Sequence, residues 1–387
     1  MASTVPITRR RPMASMRRDP SAIWHHIDGV MVASLLAVAG LGVVMVYSST
    51  RGATAPFDTS FLTKQAFFVV LGLLVAGGVA VIDYHKILDA APMIYGGTIV
   101  LLVAVKLVGS SRSGTQGWFQ LGPFQLQPSE FAKLALILGF TYLATQFHGD
   151  IDARRLGALL AVGGVPVLLV LLQPDLGTAL VSVCITFYLL VAAGVRGRYL
   201  VGLGLLAVVF ATLVLTSGVL DEYQRDRLTV FATQEQERTL DEERDAAWTL
   251  EQSKIAIGSG GVTGKGLFNG PQTRGGVVPE QHTDFIFTAV GEELGLAGAA
   301  GLLALYGVIV WRIWRTAQLA RDAAGTMICM GVLAMFVFQI FENVGMTMGI
   351  MPITGIPLPF MSYGGSSVIM TFIGVGLVLN VHMRRFR

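Results

Sequence analysis

Ten apolar runs, each about twenty residues long or longer, limit this chain to very few folds. They fall at 27–48, 61–82, 88–108, 128–147, 155–173, 175–194, 198–217, 284–314, 324–349 and 364–383. About twenty apolar residues carry a helix across a bilayer. Hydrocarbon offers a backbone no hydrogen-bond partners, so such runs must satisfy their own polar groups as helices. The expected fold is an all-α integral membrane protein of about ten transmembrane helices, with a long loop at 218–283 between the seventh and eighth. Charge agrees with this: only 14% of the 387 residues are charged, against about 25% in a soluble domain. The fifth and sixth runs are the least separated, meeting at the turn Gln173-Pro174-Asp175.

Residues 1–22 are polar and include Arg9, Arg10, Arg11, Arg17 and Arg18. The first apolar run is too long for a signal sequence and has no small-residue cleavage site after it. The expected organisation is a disordered cytoplasmic tail at 1–22, followed by one polytopic membrane unit at 23–387. Cys184 and Cys329 both sit within apolar runs and read as packing residues, with no disulfide framework and no metal site.

The short loops set the orientation. One alternating set carries the N-terminal arginines, Lys86, Arg154, Arg155, Arg196, Arg198, Arg312, Arg315, Arg321, Arg384, Arg385 and Arg387. The other set carries little beyond Arg51 and Arg112. The positive-inside rule places both termini in the cytoplasm and the long loop outside. Glu130 and Lys133 then open span four at its outer end, Asp175 opens span six, Asp284 opens span eight, and Glu342 and Asn343 lie in the outer half of span nine. Ionisable groups in a membrane face a shared interior, not lipid. These residues therefore point to one outward-facing site, away from cytoplasmic donors.

Within Gln127-Pro128-Ser129-Glu130-Phe131-Ala132-Lys133, Pro128 and Glu130 are ordinary for a helix N-terminus. Lys133 is not, because a cation in the first turns opposes the helix dipole. It needs a carboxylate, and either Glu130, three residues back, or Asp284, across the bundle, would serve. Thr283-Asp284 reads equally as a cap with an acidic first turn or as a functional carboxylate. Were the helix continuous from Asp284, Glu292 would lie about 80° around it and Glu293 roughly opposite. Glu292 is then the better companion for Asp284.

Gly258-Ser259-Gly260-Gly261-Val262-Thr263-Gly264-Lys265-Gly266 is not a P-loop, which needs Gly at Ser259 and Ser or Thr at Gly266. Its glycines suit a tight turn, whose amides, with Lys265, would suit a phosphate. The segment 351–367, with three prolines and three glycines, reads as irregular chain at membrane depth lining a cavity. Ser366 within it is a candidate substrate contact. Ala247, Leu250 and Ile257 at helical spacing suggest a helix lying on the membrane surface. The six histidines show no metal-ligand spacing.

Together the segments at 127–133 (QPSEFAK), 173–180 (QPDLGTAL), 252–266 (QSKIAIGSGGVTGKG), 279–295 and 354–367 (TGIPLPFMSYGGSS) resemble the SEDS family of bacterial cell-wall polymerases. The likeness covers nearly the whole chain beyond the N-terminal tail. GKGLFNGPQT and GMTMGIMPITGIPLP are more similar to its elongation branch than to its division branch.

The resemblance implies a peptidoglycan glycosyltransferase that polymerises lipid II on the outer face of the bacterial cytoplasmic membrane. Asp284 takes the place of the family's essential aspartate, and Lys133 and Glu130 that of the fourth-span pair. The implied partners are a class B penicillin-binding protein and the elongation machinery; no nucleic acid is expected. The donor sugar already carries a good leaving group, undecaprenyl pyrophosphate, so the harder task is activating an acceptor hydroxyl. A positioned carboxylate does this as general base. Asp284 is the expected base, held ionised by Lys133. Arg225, Arg227, Lys265 and Arg274 are candidates to offset pyrophosphate charge, and Asp175, Ser366, Glu292 and Glu293 to contact substrate. Direct attack inverts the anomeric centre. A divalent cation, Mg or Mn, is compatible with the pyrophosphate, although no spacing demands one.

Three other readings compete. A division-type polymerase has the same chemistry. A flippase for lipid-linked precursors needs polar groups through both leaflets, whereas here they cluster outside. A scaffold gives no reason for a buried Lys133.

Overall fold

The computed structural model describes residues 26–112, 115–122, 124–147, 151–216 and 246–385. The tail at 1–22 and the candidates Arg225 and Arg227 lie outside the described residues. Each of the ten expected spans contains a helix: α1 (Gly29–Thr50), α2 (Ser60–Val81), α4 (Ala91–Val108), α5 (Pro128–Gln146), α6 (Ala153–Leu171), α7 (Leu176–Ala192), α8 (Gly197–Thr216), α11 (Ile286–Gln318), α12 (Ala323–Met348) and α13 (Gly365–Arg384). Three short helices join them: α3 (Tyr84–Asp89), α9 (Ala246–Gly260) and α10 (Pro271–Gly275). Seven of these helices are long and apolar enough to cross a membrane, and α7 is a shorter apolar helix. The fold is thus that of an all-α integral membrane protein.

One addition escaped the sequence reading. Between α4 and α5 the chain forms a three-stranded antiparallel sheet, β1 (Ser110–Arg112), β2 (Thr115–Leu121) and β3 (Phe124–Leu126). Two of the strands have only three residues, and the seven of β2, TQGWFQL, do not alternate apolar with polar.

The starts of the helices follow local chemistry. Aspartates cap five of them, accepting from the amide two or three residues on: Asp28 on α1, Asp83 on α3, Asp152 on α6, Asp175 on α7 and Asp322 on α12. Each cap satisfies an amide that would otherwise be orphaned. Pro128 opens α5, where a missing N–H costs nothing.

Lipid is as apolar as leucine, so close packing and hydrogen bonds, not burial from water, select the helix contacts. Helix α13 pairs with α2, α11 with α12 and α1, and α12 with α5 and α7. Glycine permits the closest approach: a Cβ on Gly72 of α2 would meet the ring of Phe372 at 2.3 Å. Helices α12 and α13 form the centre of the bundle, whereas α4 exposes Met93, Val100, Leu107 and Val108 on the rim.

One end of the bundle, expected from loop charge to be the inner one, bears Asp28, Asp83 and Asp322. There Arg312 donates to Asp28 at 2.6 Å, tying the start of α1 to the end of α11. The Asn380 side-chain oxygen accepts from the Tyr84 amide at 3.1 Å, and Arg384 donates to it at 2.6 Å and to the Val81 carbonyl at 2.6 Å. His85 lies 3.0 Å from Asp83 and 2.8 Å from Asp322, and the Tyr84 hydroxyl donates to Asp322 at 2.9 Å.

The outer end is built from chain without regular structure. Residues 349–364 descend between α12 and α13 with Ile356, Leu358, Phe360, Met361 and Ser362 buried. Protein groups satisfy this backbone. Gln65 donates to the Ser362 carbonyl (3.2 Å), the Leu358 amide to the Ser362 hydroxyl (2.8 Å) and the Tyr363 amide to the His282 carbonyl (2.8 Å).

Helix α9, expected at the membrane surface, has one face against protein: it packs along α11 and also touches α12. Thr249, Leu250, Ser253 and Ala256 form its buried stripe. The Ser253 hydroxyl lies 2.6 Å from that of Thr288 and donates to the Thr347 carbonyl at 2.8 Å.

Candidate active site

Asp284 stands just before α11, not on it. The amides of Thr283, Asp284 and Phe285 all turn back to the Glu280 carbonyl, and the helix begins at Ile286. The angle reckoned from Asp284 to Glu292 and Glu293 along a continuous helix therefore does not apply. Phe285 anchors the turn from below, buried with Leu250, Val278 and Ile353. Asp284 itself is half-buried. Its main-chain carbonyl accepts from the Asn343 side-chain amide at 2.7 Å.

Lys133 takes the nearer of its two expected partners. Its ammonium donates to Glu130 at 2.7 Å, and both side chains are about as buried as any in the protein, at 1% and 2% exposure. The second Glu130 oxygen is buried and has no partner among the described residues.

The start of α5 meets the start of α7 and the start of α13. Asp175 divides its oxygens: one caps Thr178 at 2.9 Å, and the other accepts from Ser129 at 3.3 Å and Gln127 at 3.4 Å. Ser366 accepts from the Gln127 amide at 3.0 Å and donates to the Gln125 carbonyl at 3.1 Å. The 349–364 segment closes the fourth side. Thr354 donates to buried Glu342 at 2.9 Å, and a Cβ on Gly177 would sit 2.6 Å from the Thr354 carbonyl.

Glu292 and Glu293 face the outer loop. Glu292 accepts three hydrogen bonds, from the amides of Gln272 and Thr273 at 2.8 Å each and the Thr273 hydroxyl at 2.6 Å. It anchors the N-terminal amides of α10. Gln281, three residues before Asp284, also donates to Thr273 at 3.1 Å. Ser48 of α1 donates to Glu293 at 2.6 Å. Both carboxylates are fully buried, so their visible work is to hold the loop that carries Asp284.

The glycine-rich segment also has a structural task. Helix α11 breaks at Gly295, whose φ of 66° and ψ of −166° suit glycine alone. The break frees backbone groups that the loop takes up. The amides of Lys265 and Gly266 donate to the carbonyls of Glu292 and Glu293, both at 3.0 Å. Those of Leu296 and Ala297 donate to Gly261 and Val262 at 2.9 and 3.0 Å. The amides expected to be open to a phosphate are thus engaged, while the Lys265 side chain stays exposed. Arg274 is exposed and donates to the Ala53 carbonyl at 3.0 Å. Among the described residues no group of three His, Cys, Asp or Glu is placed to hold a metal ion.

The sequence reading passed over Ser48, Ser253, Thr273, Gln281 and Thr354 as site-building residues. A single hydroxyl or amide in a short loop gives little signal beside ordinary capping chemistry.

A multi-helix membrane bundle that collects buried carboxylates and a lysine at one end matches known proteins along almost its full length. The family model described as "Cell cycle protein", covering FtsW, RodA and SpoVE, matches residues 29–386. The chain belongs to that family. It is 34% identical over 364 residues to the peptidoglycan glycosyltransferase MrdB of Escherichia coli strain K12, covering 93% of this chain and 94% of that one. Its structure is similar to a chain from work on the coordination of polymerization and crosslinking by a peptidoglycan synthase complex. The TM-score is 0.78 at 32% identity, over 93% of this chain and 99% of that one. It is also similar to the rod shape determining protein RodA of Thermus thermophilus, with a TM-score of 0.69 at 31% identity, over 94% and 99% of the two chains.

Proposed function

We propose that this protein is a peptidoglycan glycosyltransferase that polymerises lipid II at its outer end, in service of cell elongation. The observation that carries the reading is Asp284: a half-buried carboxylate on a turn tied to Asn343 of α12, next to buried Glu342. Its family supports the reaction class, and relatives named for rod shape and peptidoglycan transfer support the elongation role.

The acceptor sugar hydroxyl gives its proton to the Asp284 carboxylate. Its oxygen forms a bond to the anomeric carbon of the donor as the bond to undecaprenyl pyrophosphate breaks, and the configuration inverts. A base adds about 10²- to 10⁴-fold to such a step. The Glu130–Lys133 pair supplies a buried dipole at the start of α5. Asp175 and Ser366 hold the starts of α7 and α13 to the start of α5, so a substrate meets a preformed wall. Exposed Lys265 and Arg274, with Arg225 and Arg227, are the cations offered to the pyrophosphate; a Mg or Mn ion bound with the substrate would add to them.

The partner is a class B penicillin-binding protein that crosslinks the strands; the similarity to a chain of a polymerising and crosslinking complex supports this. Both termini lie in the cytoplasm of a bacterium and the site faces outward, a reading supported by the arginine-rich inner loops.

The deciding assay is purified protein with lipid II in the presence of penicillin. Glycan strands are expected from the wild type and none from Asp284→Asn; full activity of that variant overturns the assignment of the base. Flipping of lipid II without polymerisation would favour the transporter reading instead.

A further inference from the structure

We propose that Asn343 is a positioning residue: its amide fixes the turn that carries Asp284 against the descending segment at Ile356. The inference rests on the reading of Asp284 as the base. Asn343 is fully buried in the outer half of α12, a place where a neutral amide is costly unless its hydrogens are used. Both are used. One goes to the Asp284 carbonyl at 2.7 Å and the other to the Ile356 carbonyl at 2.8 Å. An NH₂ group has two hydrogens, so this donor is saturated by two carbonyls from separate irregular segments.

The placement gives the bond its consequence. Asp284 precedes the first residue of α11, and the Thr288 amide bonds to the Phe285 carbonyl. The Asp284 carbonyl therefore takes its donor from a different helix. Next to Asn343, Glu342 holds Thr354 at 2.9 Å, and the Thr354 carbonyl packs on Gly177 beside the Asp175 cap. Two adjacent residues of α12 thus set the height of the Asp284 turn relative to the 354–356 chain and the start of α7. In a site shielded from water these bonds are not exchanged for solvent. A carboxylate that acts as base must sit within hydrogen-bond reach of the hydroxyl it deprotonates, and a misplacement of about 1 Å can lower a rate about a hundredfold.

The test uses the full chain, purified and supplied with lipid II. Asn343→Leu removes the donor while keeping the branching and the number of side-chain heavy atoms. It should lower kcat by about ten- to a hundredfold with KM little changed. It should also speed amide hydrogen exchange in peptides spanning 280–288 and 354–358. Asn343→Asp is close to isosteric and provides the second arm. While its buried carboxyl is neutral it keeps one O–H donor; once ionised it faces two carbonyl oxygens. Its activity relative to wild type should therefore fall as pH rises, whereas the ratio for Asn343→Leu should stay flat. Wild-type kcat together with a lowered melting temperature would make Asn343 a mere packing residue and overturn the proposal. So would unchanged exchange in both segments with a pH-independent ratio for Asn343→Asp. Activity in Asp284→Asn sinks the base assignment by itself, and the exchange measurement still decides whether the clamp exists.

Discussion

Lys133 and Glu130 form a contact ion pair of 2.7 Å one turn apart on α5, with almost no surface exposed on either. The lysine is therefore not held in reserve for Asp284; its charge is already spoken for within its own helix. Removing one member of such a pair strands the other, at a typical cost of about 3–5 kcal/mol. Lys133→Ala should therefore lower both thermal stability and polymerisation. Adding Glu130→Gln to it should restore much of the stability without restoring activity. Melting of the detergent-solubilised protein, run beside the lipid II assay, separates the two effects.

Glu292 makes a second prediction. Charge-assisted hydrogen bonds contribute about 1.5–3 kcal/mol each, and Glu292 accepts three from residues 272 and 273. Glu292→Ala should loosen α10 and the chain leading to Asp284. Limited proteolysis is expected to cut between 266 and 281 in the variant and to spare the wild type. Glu292→Gln, which keeps acceptor capacity, should fall between them.

Gly295 is expected to tolerate no side chain. Its backbone angles exclude other residues, and a Cβ there would lie 2.3 Å from the Gly264 amide nitrogen. Gly295→Ala should cut the yield of monodisperse protein sharply. Gly301→Ala, six residues on in the same helix and with open space around it, should leave the yield unchanged.

The inner end predicts a pH dependence. Burial alone would lower the His85 pKa, but hydrogen bonds to Asp83 and Asp322 outweigh it and hold the group above its ordinary 6.5. A raised folded value means that the stabilisation is full below 6.5 and is lost as pH climbs through the folded pKa. Burial likewise works against ionisation of Asp83 and Asp322. Hydrogen bonds to the His85 amide and ring lower Asp83; the Gly325 amide, Tyr84 and His85 lower Asp322. Both end below 3.8, so their contribution holds above that value and fades as pH falls through the folded pKa. Melting temperature should therefore decline on the alkaline side of 6.5; His85→Phe should flatten that limb and also shallow the acid limb, because both aspartates lose the ring that helps to lower them. Titration of both proteins by thermal melting checks this.

Ten helices were legible because hydrocarbon enforces length and apolarity residue by residue. Asp284, Lys133, Glu130 and Asp175 were legible as polar groups at or near helix starts because ionisable residues are rare in such runs. Their partnerships were not. Whether Lys133 faced Glu130 or Asp284 depends on how α5 and α11 rotate, which no local pattern records. Asn343 was visible as a polar residue in α12, but its two carbonyl partners lie 59 and 13 residues away. The Gly295 break was hidden because glycine is common in membrane helices, and only the matching loop at 261–266 makes it a break. The contacts of α9 with α11 and α12 were hidden for the same reason: an amphipathic pattern marks an apolar face without naming what covers it.

The pairing of α2 with α13 bears on how the protein is made. Asn380 meets the Tyr84 amide 296 residues earlier in the chain, and Ser366 completes the contact with Gln127 across 239. At synthesis rates of about 5–20 residues per second, α3 waits roughly 15–60 seconds for its partner. Until the last helix enters the bilayer, α2 lacks its main neighbour and the outer site lacks a wall. A ribosome that stops short of residue 364 thus leaves behind an inserted but open molecule, and the site assembles only once α13 has been made.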